Sequence, residues 1–107
     1  MKKTISIAQD FSPEPAGRYE SDGIFNGEKF RNNFLTPNLK DKNIIELEIN
    51  LDDLEGVGSS FWDEAFAGLI LVNQMKYEEI KQKLKLTCKD NSICDLIWSY
   101  IKEASGV

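Results

Sequence analysis

Three short segments of the chain alternate strictly between apolar and polar side chains, and that alternation constrains the fold more than any other feature. Ile45, Leu47, Ile49 and Leu51 fall on one side of Ile44–Leu51, with Glu46, Glu48 and Asn50 on the other. In Lys3–Ala8, Ile5 and Ile7 alternate with Thr4 and Ser6; in Leu84–Lys89, Leu84, Leu86 and Cys88 alternate with Lys85, Thr87 and Lys89. Side chains of a strand change face at every residue, so strict alternation marks a strand buried on one face and wet on the other. Strands of a doubly wound sheet, covered on both faces, are instead continuously apolar. The expected fold is a small mixed sheet of about three to five strands, with helices packed on one face and the second face open to solvent.

The helices fall between these strands. Glu28–Leu35 carries Phe30 and Phe34 four residues apart, and Pro37 is expected to stop it. Ser60 to about Met75 is the longest apolar segment, with Trp62, Ala65, Phe66, Leu69 and Val72 as its stripe, and should be the central, most buried helix. Tyr77–Leu84 is short and charged. Ile93, Leu96, Ile97, Tyr100, Ile101 and Ala104 form a clean amphipathic pattern for a last helix, with Asn91 or Ser92 as N-cap. The stretch GRYESDGIFNG, with turn dipeptides Asp22-Gly23 and Asn26-Gly27, has room for a further hairpin. Strand, helix, strand, helix, short helix, strand, helix in 107 residues reads as one domain, 1–107, of α/β class with α+β character.

Charge narrows the function. Thirteen basic against eighteen acidic residues give a net charge of −5, which disfavours nucleic acid and anionic membrane as partners, since both need a basic patch. No apolar run reaches the length of a membrane span, and MKKTISIAQDF has no apolar core of a signal peptide, so a cytoplasmic protein is expected. Histidine is absent, which removes Ser-His and Cys-His nucleophile pairs. Cys88 and Cys94 would need two further ligands to hold zinc and are expected to be reduced, buried and structural. No catalytic, cofactor-binding or metal-binding set is assigned, and the expectation is a protein that is not an enzyme.

The stretch EGVGSSFWDEAF, Glu55–Phe66, is the candidate site. Gly56 and Gly58 allow a sharp turn, and Ser60, with Asp63 three residues on, has the spacing of a helix cap. The same stretch also suits an anion site at a helix start, but it lacks the lysine of a P-loop and the third glycine of a dinucleotide fingerprint. Asp52, Asp53 and Glu55 just upstream would repel phosphate, and as a cation site they show no ordered ligand series. A third reading is a regulatory serine, since a hydroxyl at a helix start is exposed and the dipole tolerates its phosphate. Phe61, beside the serines, is the first candidate for an aromatic partner contact, ahead of Trp98 on the flank of the last helix. Arg18 and Tyr19, in a loop with Asp22 and Glu28, are further candidate contacts, or Arg18 bridges acids to pin that loop.

NIIELEINLDDLEGVGSSFWDEAFAGLIL resembles the strand–turn–helix signature of STAS domains, the family of bacterial anti-sigma-factor antagonists and of sulfate-transporter cytoplasmic domains. With GRYESDGIFNGEKFR the chain is more similar still to the bacterial STAS-like domains of unknown function, over roughly residues 1–75. In the antagonists an aliphatic strand leads to Asp-Ser-Ser-Gly and an apolar helix; here Gly58-Ser59-Ser60-Phe61 stands at that position. The resemblance implies a STAS-like fold and Ser59, with Ser60 second, as candidate phosphoacceptors for an ATP-binding kinase of the histidine-kinase-like ATPase type. Two positions depart: Gly58 replaces the Asp that takes part in the antagonists' switch, and Phe61 replaces the Gly.

The expected function is a regulatory, non-enzymatic protein-interaction module docking through Gly56, Gly58, Ser59, Ser60 and Phe61, with Arg18 and Tyr19 nearby. The alternative is a constitutive subunit or adaptor of a bacterial or phage-related assembly, such as a defence system, without phosphorylation. An exposed sheet edge leaves a homodimer open.

Overall fold

In the computed structural model, which describes residues 1–106, three strands form one sheet: β1 (Lys2–Ser6), β2 (Glu46–Asn50) and β3 (Leu84–Thr87). Their order is β1-β2-β3, and both pairings are parallel. The sheet is thus at the small end of the expected range and parallel rather than mixed, because each connection carries helices and crosses over. Two crossovers of the usual right hand that step the same way across a sheet leave their helices on the same face. That topology explains how a parallel sheet can carry alternating strands. Ile5, Ile49 and Leu86 align across the register, as do Leu47 and Leu84, and Ile5, Leu47, Ile49 and Leu84 are core residues. On the open face, Lys2 pairs with Glu46 (3.5 Å) and the Thr87 hydroxyl donates to Glu48 (3.2 Å).

The first strand ends earlier than its pattern suggests: Ile7–Phe11 closes into a single wide turn, capped by the Ser6 hydroxyl, which accepts the Gln9 N–H. Ile7 is nevertheless fully buried. The second strand begins late. Ile44 is buried and Ile45 is 67% exposed, the reverse of the expected facing, because the chain bends at Ile45, whose N–H reaches the Met1 carbonyl (2.8 Å).

Four helical rods are described. The first, α1 (27–40), joins α-turns Gly27–Phe30 and Thr36–Lys40 through a widened turn, Arg31–Leu35, with Asn26 capping the Lys29 N–H (2.8 Å). Pro37 does not stop this helix. The widened turn, in which the Thr36 N–H reaches back to the Arg31 carbonyl, relaxes the ladder just before the proline, and the Asn38 side-chain amide donates to the Phe34 carbonyl (2.6 Å). The second, α2 (59–71), has the same construction: Ser59–Trp62, a widened Asp63–Ala67, then Gly68–Leu71. It ends four residues before Met75; Gln74 takes a left-handed φ of 57° and returns buried Met75 to the core.

The short helix α3 (Tyr77–Lys83) ends with the Lys83 ammonium donating to the carbonyls of Leu39 (2.8 Å) and Asp41 (2.6 Å), a cation at the end of α1. The last helix, α4 (Asn91–Ser105), is capped by Asp90, which precedes both expected caps and accepts the Ser92 N–H (2.9 Å). Lys81 Nζ lies 5.5 Å from the ring centre of half-buried Trp98. No helix is long and apolar enough to cross a membrane among the described residues.

The core between sheet and helices is strongly aromatic. Phe30, Phe61 and Phe66 are fully buried, and Phe11, Phe34 and Trp62 close around them, with Phe30 stacked on Phe34 at 5.3 Å between ring centres. Residues 12–26 form no hairpin. One short turn, Glu20–Asp22, is held within a loop by hydrogen bonds from Ala16 to Phe25 and from Gly27 to Gly17.

Candidate functional site

The link from β2 to α2 is fastened from three directions. Asn50 Oδ1 accepts the Asp52 N–H (2.8 Å), Asp52 Oδ1 accepts the Lys89 N–H (2.8 Å), and the Pro13 carbonyl accepts the Glu55 N–H (2.9 Å). Asp52 therefore anchors the connection between β3 and α4, while Asp53 and Glu55 lie exposed. Asp53 (φ 64°) and Gly56 (φ 55°) turn the chain through the left-handed region, which glycine and short polar side chains adopt most readily. Among the described residues no group of three or more His, Cys, Asp or Glu side chains is placed to hold a metal ion.

The N-cap of α2 is Gly58, not Ser60, and no side chain caps the helix. Ser59 and Ser60 are both already helical, so neither has the extended backbone that a cap needs. Asp63 makes no capping box either; it binds Arg18. Ser59 is exposed and Ser60 half-buried. Ser59 lies between two clefts. One, of about 410 Å³, runs between α2 and α4 and is lined by Arg18, Ser59, Asp63, Leu71, Tyr100 and Glu103. The other, of about 310 Å³, is lined by Leu54, Val57, Ser59, Trp62, Ile93 and Leu96. Ser59, Asp63, Ala67 and Leu71 follow each other at four-residue spacing, so one face of α2 forms a wall of the first cleft.

Arg18 reaches this wall from the loop. Its Nη1 donates to Asp63 Oδ2 (2.7 Å) and lies 3.9 Å from Glu64 Oε1. The bond to Asp63, reinforced by the charges of Asp63 and Glu64, raises the Arg18 pKa further. Glu64 holds the Tyr19 hydroxyl proton by its charge and by a hydrogen bond, pushing that pKa up. The acids that Arg18 bridges are thus Asp63 and Glu64, not its neighbours Asp22 and Glu28. Asp22 instead turns inward on its own loop and accepts the N–H groups of Arg18 (3.0 Å) and Tyr19 (3.1 Å).

Those two bonds, Tyr19's first, lower the Asp22 pKa. A carboxylate with a lowered folded-state pKa contributes order above its unfolded value and loses it as pH falls through the folded one. The loop is therefore expected to loosen below about pH 4, near the unperturbed Asp value, and Asp22→Asn should remove that dependence. The backbone amide NMR shifts of Arg18 and Tyr19, followed through an acid titration, check this; equal titration curves in both proteins would refute it.

Behind Arg18 lies a deeper pair that spacing along the chain does not reveal. Arg31, 1% exposed, donates through Nη1 to the Glu64 carboxylate (2.8 Å) and to the Glu64 carbonyl. Each partner sits in the widened turn of its helix, so the two irregular turns face each other. Gly68 makes the space: a Cβ there would collide with Arg31 Nη1. Gly27 does the same where α1 meets α2, 2.8 Å from the Phe61 carbonyl.

Of the expected contacts, Arg18 and Ser59 come together on one cleft, and Gly56 and Ser59 on the other. Gly58 is exposed between them, and Tyr19 is 48% exposed beside Arg18. Phe61 is not available to a partner: it is 0% exposed and packs its ring against Phe11, Phe30 and Trp62.

No curated protein and no solved structure matches the chain. A family model described as a STAS-like domain of unknown function (DUF4325) matches residues 26–93, from the cap of α1 to the first turn of α4. The match leaves out most of the Arg18–Tyr19 loop and includes β2, the turn, α2 and β3. The chain belongs to this family of STAS-like domains of unknown function.

Proposed function

We propose that the chain is a non-enzymatic regulatory module of the cytoplasm that docks a protein partner through the turn 56–60 and the first turn of α2, with Ser59 as phosphoacceptor. The observation that carries this reading is the position of Ser59, exposed at the first residue of α2 and shared by both clefts. A phosphoryl group there adds a charge of roughly −2 at a helix end that tolerates it. It also meets Asp63 four residues along the same face and Arg18 on the same cleft, so it competes for the ion pair that joins loop to helix. The partner that fits is an ATP-binding kinase of the histidine-kinase-like class, by the likeness of the turn to the anti-sigma-factor antagonists. Half-buried Ser60 is the lesser acceptor.

Gly58, in place of the antagonists' Asp, favours the second reading, a constitutive adaptor in a bacterial or phage-related assembly. The backbone at Gly58 is ordinary (φ −80°), and a Cβ would meet nothing within 4 Å. Gly58→Asp can therefore restore the missing carboxylate without strain.

The test is recovery of the tagged full chain from its native host with intact-mass analysis, followed by binding of the recovered partner to variants. The switch predicts a gain of about 80 Da, one phosphoryl group, mapped to Ser59 and increased in Gly58→Asp. It also predicts that Ser59→Asp weakens binding more than about tenfold through added charge, while Ser59→Ala leaves it within a few-fold. Unmodified chain in a stable complex, with both Ser59 variants binding alike, would replace the switch by the constitutive adaptor.

A further inference from the structure

The connection between β3 and α4 brings the only two cysteines of the chain into contact. Cys88 Sγ and Cys94 Sγ are 2.8 Å apart, and the Cys88 thiol donates to the Asp90 carbonyl (2.6 Å). Both are free thiols, Cys88 half-buried and Cys94 buried. Nothing in the docking reading uses them. A disulfide needs an S–S distance of about 2.05 Å, and the two sulfurs already face each other at 2.8 Å. Among the described residues no third ligand joins the two sulfurs, so the arrangement is not that of a metal centre.

We propose that Cys88 and Cys94 form an oxidation site, a dithiol that a hydroperoxide converts to an intramolecular disulfide. The Cys88 sulfur attacks the peroxide, forming an S–O bond as the O–O bond breaks, and water or an alcohol leaves. Cys94 then attacks the Cys88 sulfur; the S–S bond forms, the S–O bond breaks, and the departing hydroxide leaves as water with the Cys94 proton. Two electrons pass from the thiols to the peroxide. The order follows exposure: Cys88 meets the oxidant and Cys94 resolves. Burial first, then the hydrogen bond and charge of Cys88, push the Cys94 thiol up to about 12, so Cys94 holds its proton until its neighbour is oxidised. The bond would strap the end of β3 to the first turn of α4, beside Ile93, which lines the smaller cleft.

The purified full chain is treated with hydrogen peroxide, then analysed by intact mass under denaturing, non-reducing conditions and by peptide mapping. The expected product is about 2 Da lighter, the loss of two hydrogens, carries a Cys88–Cys94 linkage, melts at a higher temperature, and returns to the starting mass with dithiothreitol. Cys88→Ser, at the more exposed position, and Cys94→Ala should each abolish the linkage. Stepwise gain of oxygen in the wild type, disulfide-linked dimers, or an unchanged mass would each overturn the proposal.

Discussion

Glu64→Ala is expected to destabilise the fold by about 3–5 kcal/mol, the usual cost of leaving one member of a buried ion pair without its partner. Arg31 is 1% exposed and Glu64 8% exposed. A guanidinium cannot shed its proton to escape the low-dielectric interior, and Arg31 Nε is already buried without a hydrogen-bond partner. Only the Glu64 carbonyl would remain to Nη1. The effect belongs to the stranded charge rather than to any large net strength of the pair, since two apolar side chains in place of a buried pair often cost little. In an Arg31→Met background, Glu64→Ala should therefore be much milder, and urea denaturation of the four proteins of this cycle measures the coupling. A loss below about 1 kcal/mol for the single variant, the size of an exposed pair, would mean that the guanidinium reaches water and that the two widened turns are not locked together. Because the same Glu64 faces Arg18 and Tyr19, the loss should also loosen the loop beside the first cleft.

The legible parts of the fold are those governed by near neighbours. Alternation around Leu47 and Ile49 identified a half-buried strand because the period of two is a property of the backbone itself. Its one-sided burial also implied helices on a single face. The strand order was not written there, since alternation says nothing about which strands pair. Pro37 shows where a local rule yields: a widened turn before it absorbs the missing donor, and the same turn carries Arg31, whose partner Glu64 is 33 residues away. The cap of α2 fell on Gly58 because the entry of the chain into the helix is set by the anchored turn, and side-chain preference follows it. At the site, the exposure of Ser59 was legible from its place at a helix start. The bond between Arg18 and Asp63 spans 45 residues and no spacing announces it.

Phe61→Ala is expected to cost about 3–5 kcal/mol, a large share of the roughly 5–15 kcal/mol that holds a small domain folded. Helical spacing puts Phe61 on the flank of the stripe formed by Trp62, Ala65, Phe66 and Leu69, which suits a surface aromatic. But α2 packs against both α1 and α4, and residues 61, 62 and 64–69 are all buried, so its buried face is far wider than one stripe. The ring sits 6.0 Å from that of Phe30 and 5.2 Å from that of Trp62, and removing it opens a cavity where α1 crosses α2. Phe61→Leu leaves a smaller cavity than the alanine variant and should cost clearly less than it does. Denaturation midpoints separate the two variants, and partner binding measured on the folded fraction separates packing from contact. If binding fell in both variants while stability held within about 1 kcal/mol, against the cavity cost of an aromatic truncation, Phe61 would be a contact after all. If stability falls and the folded fraction of Phe61→Leu binds normally, the docking surface lies in the exposed turn and at Ser59, and Phe61 serves it only by holding the helix beneath.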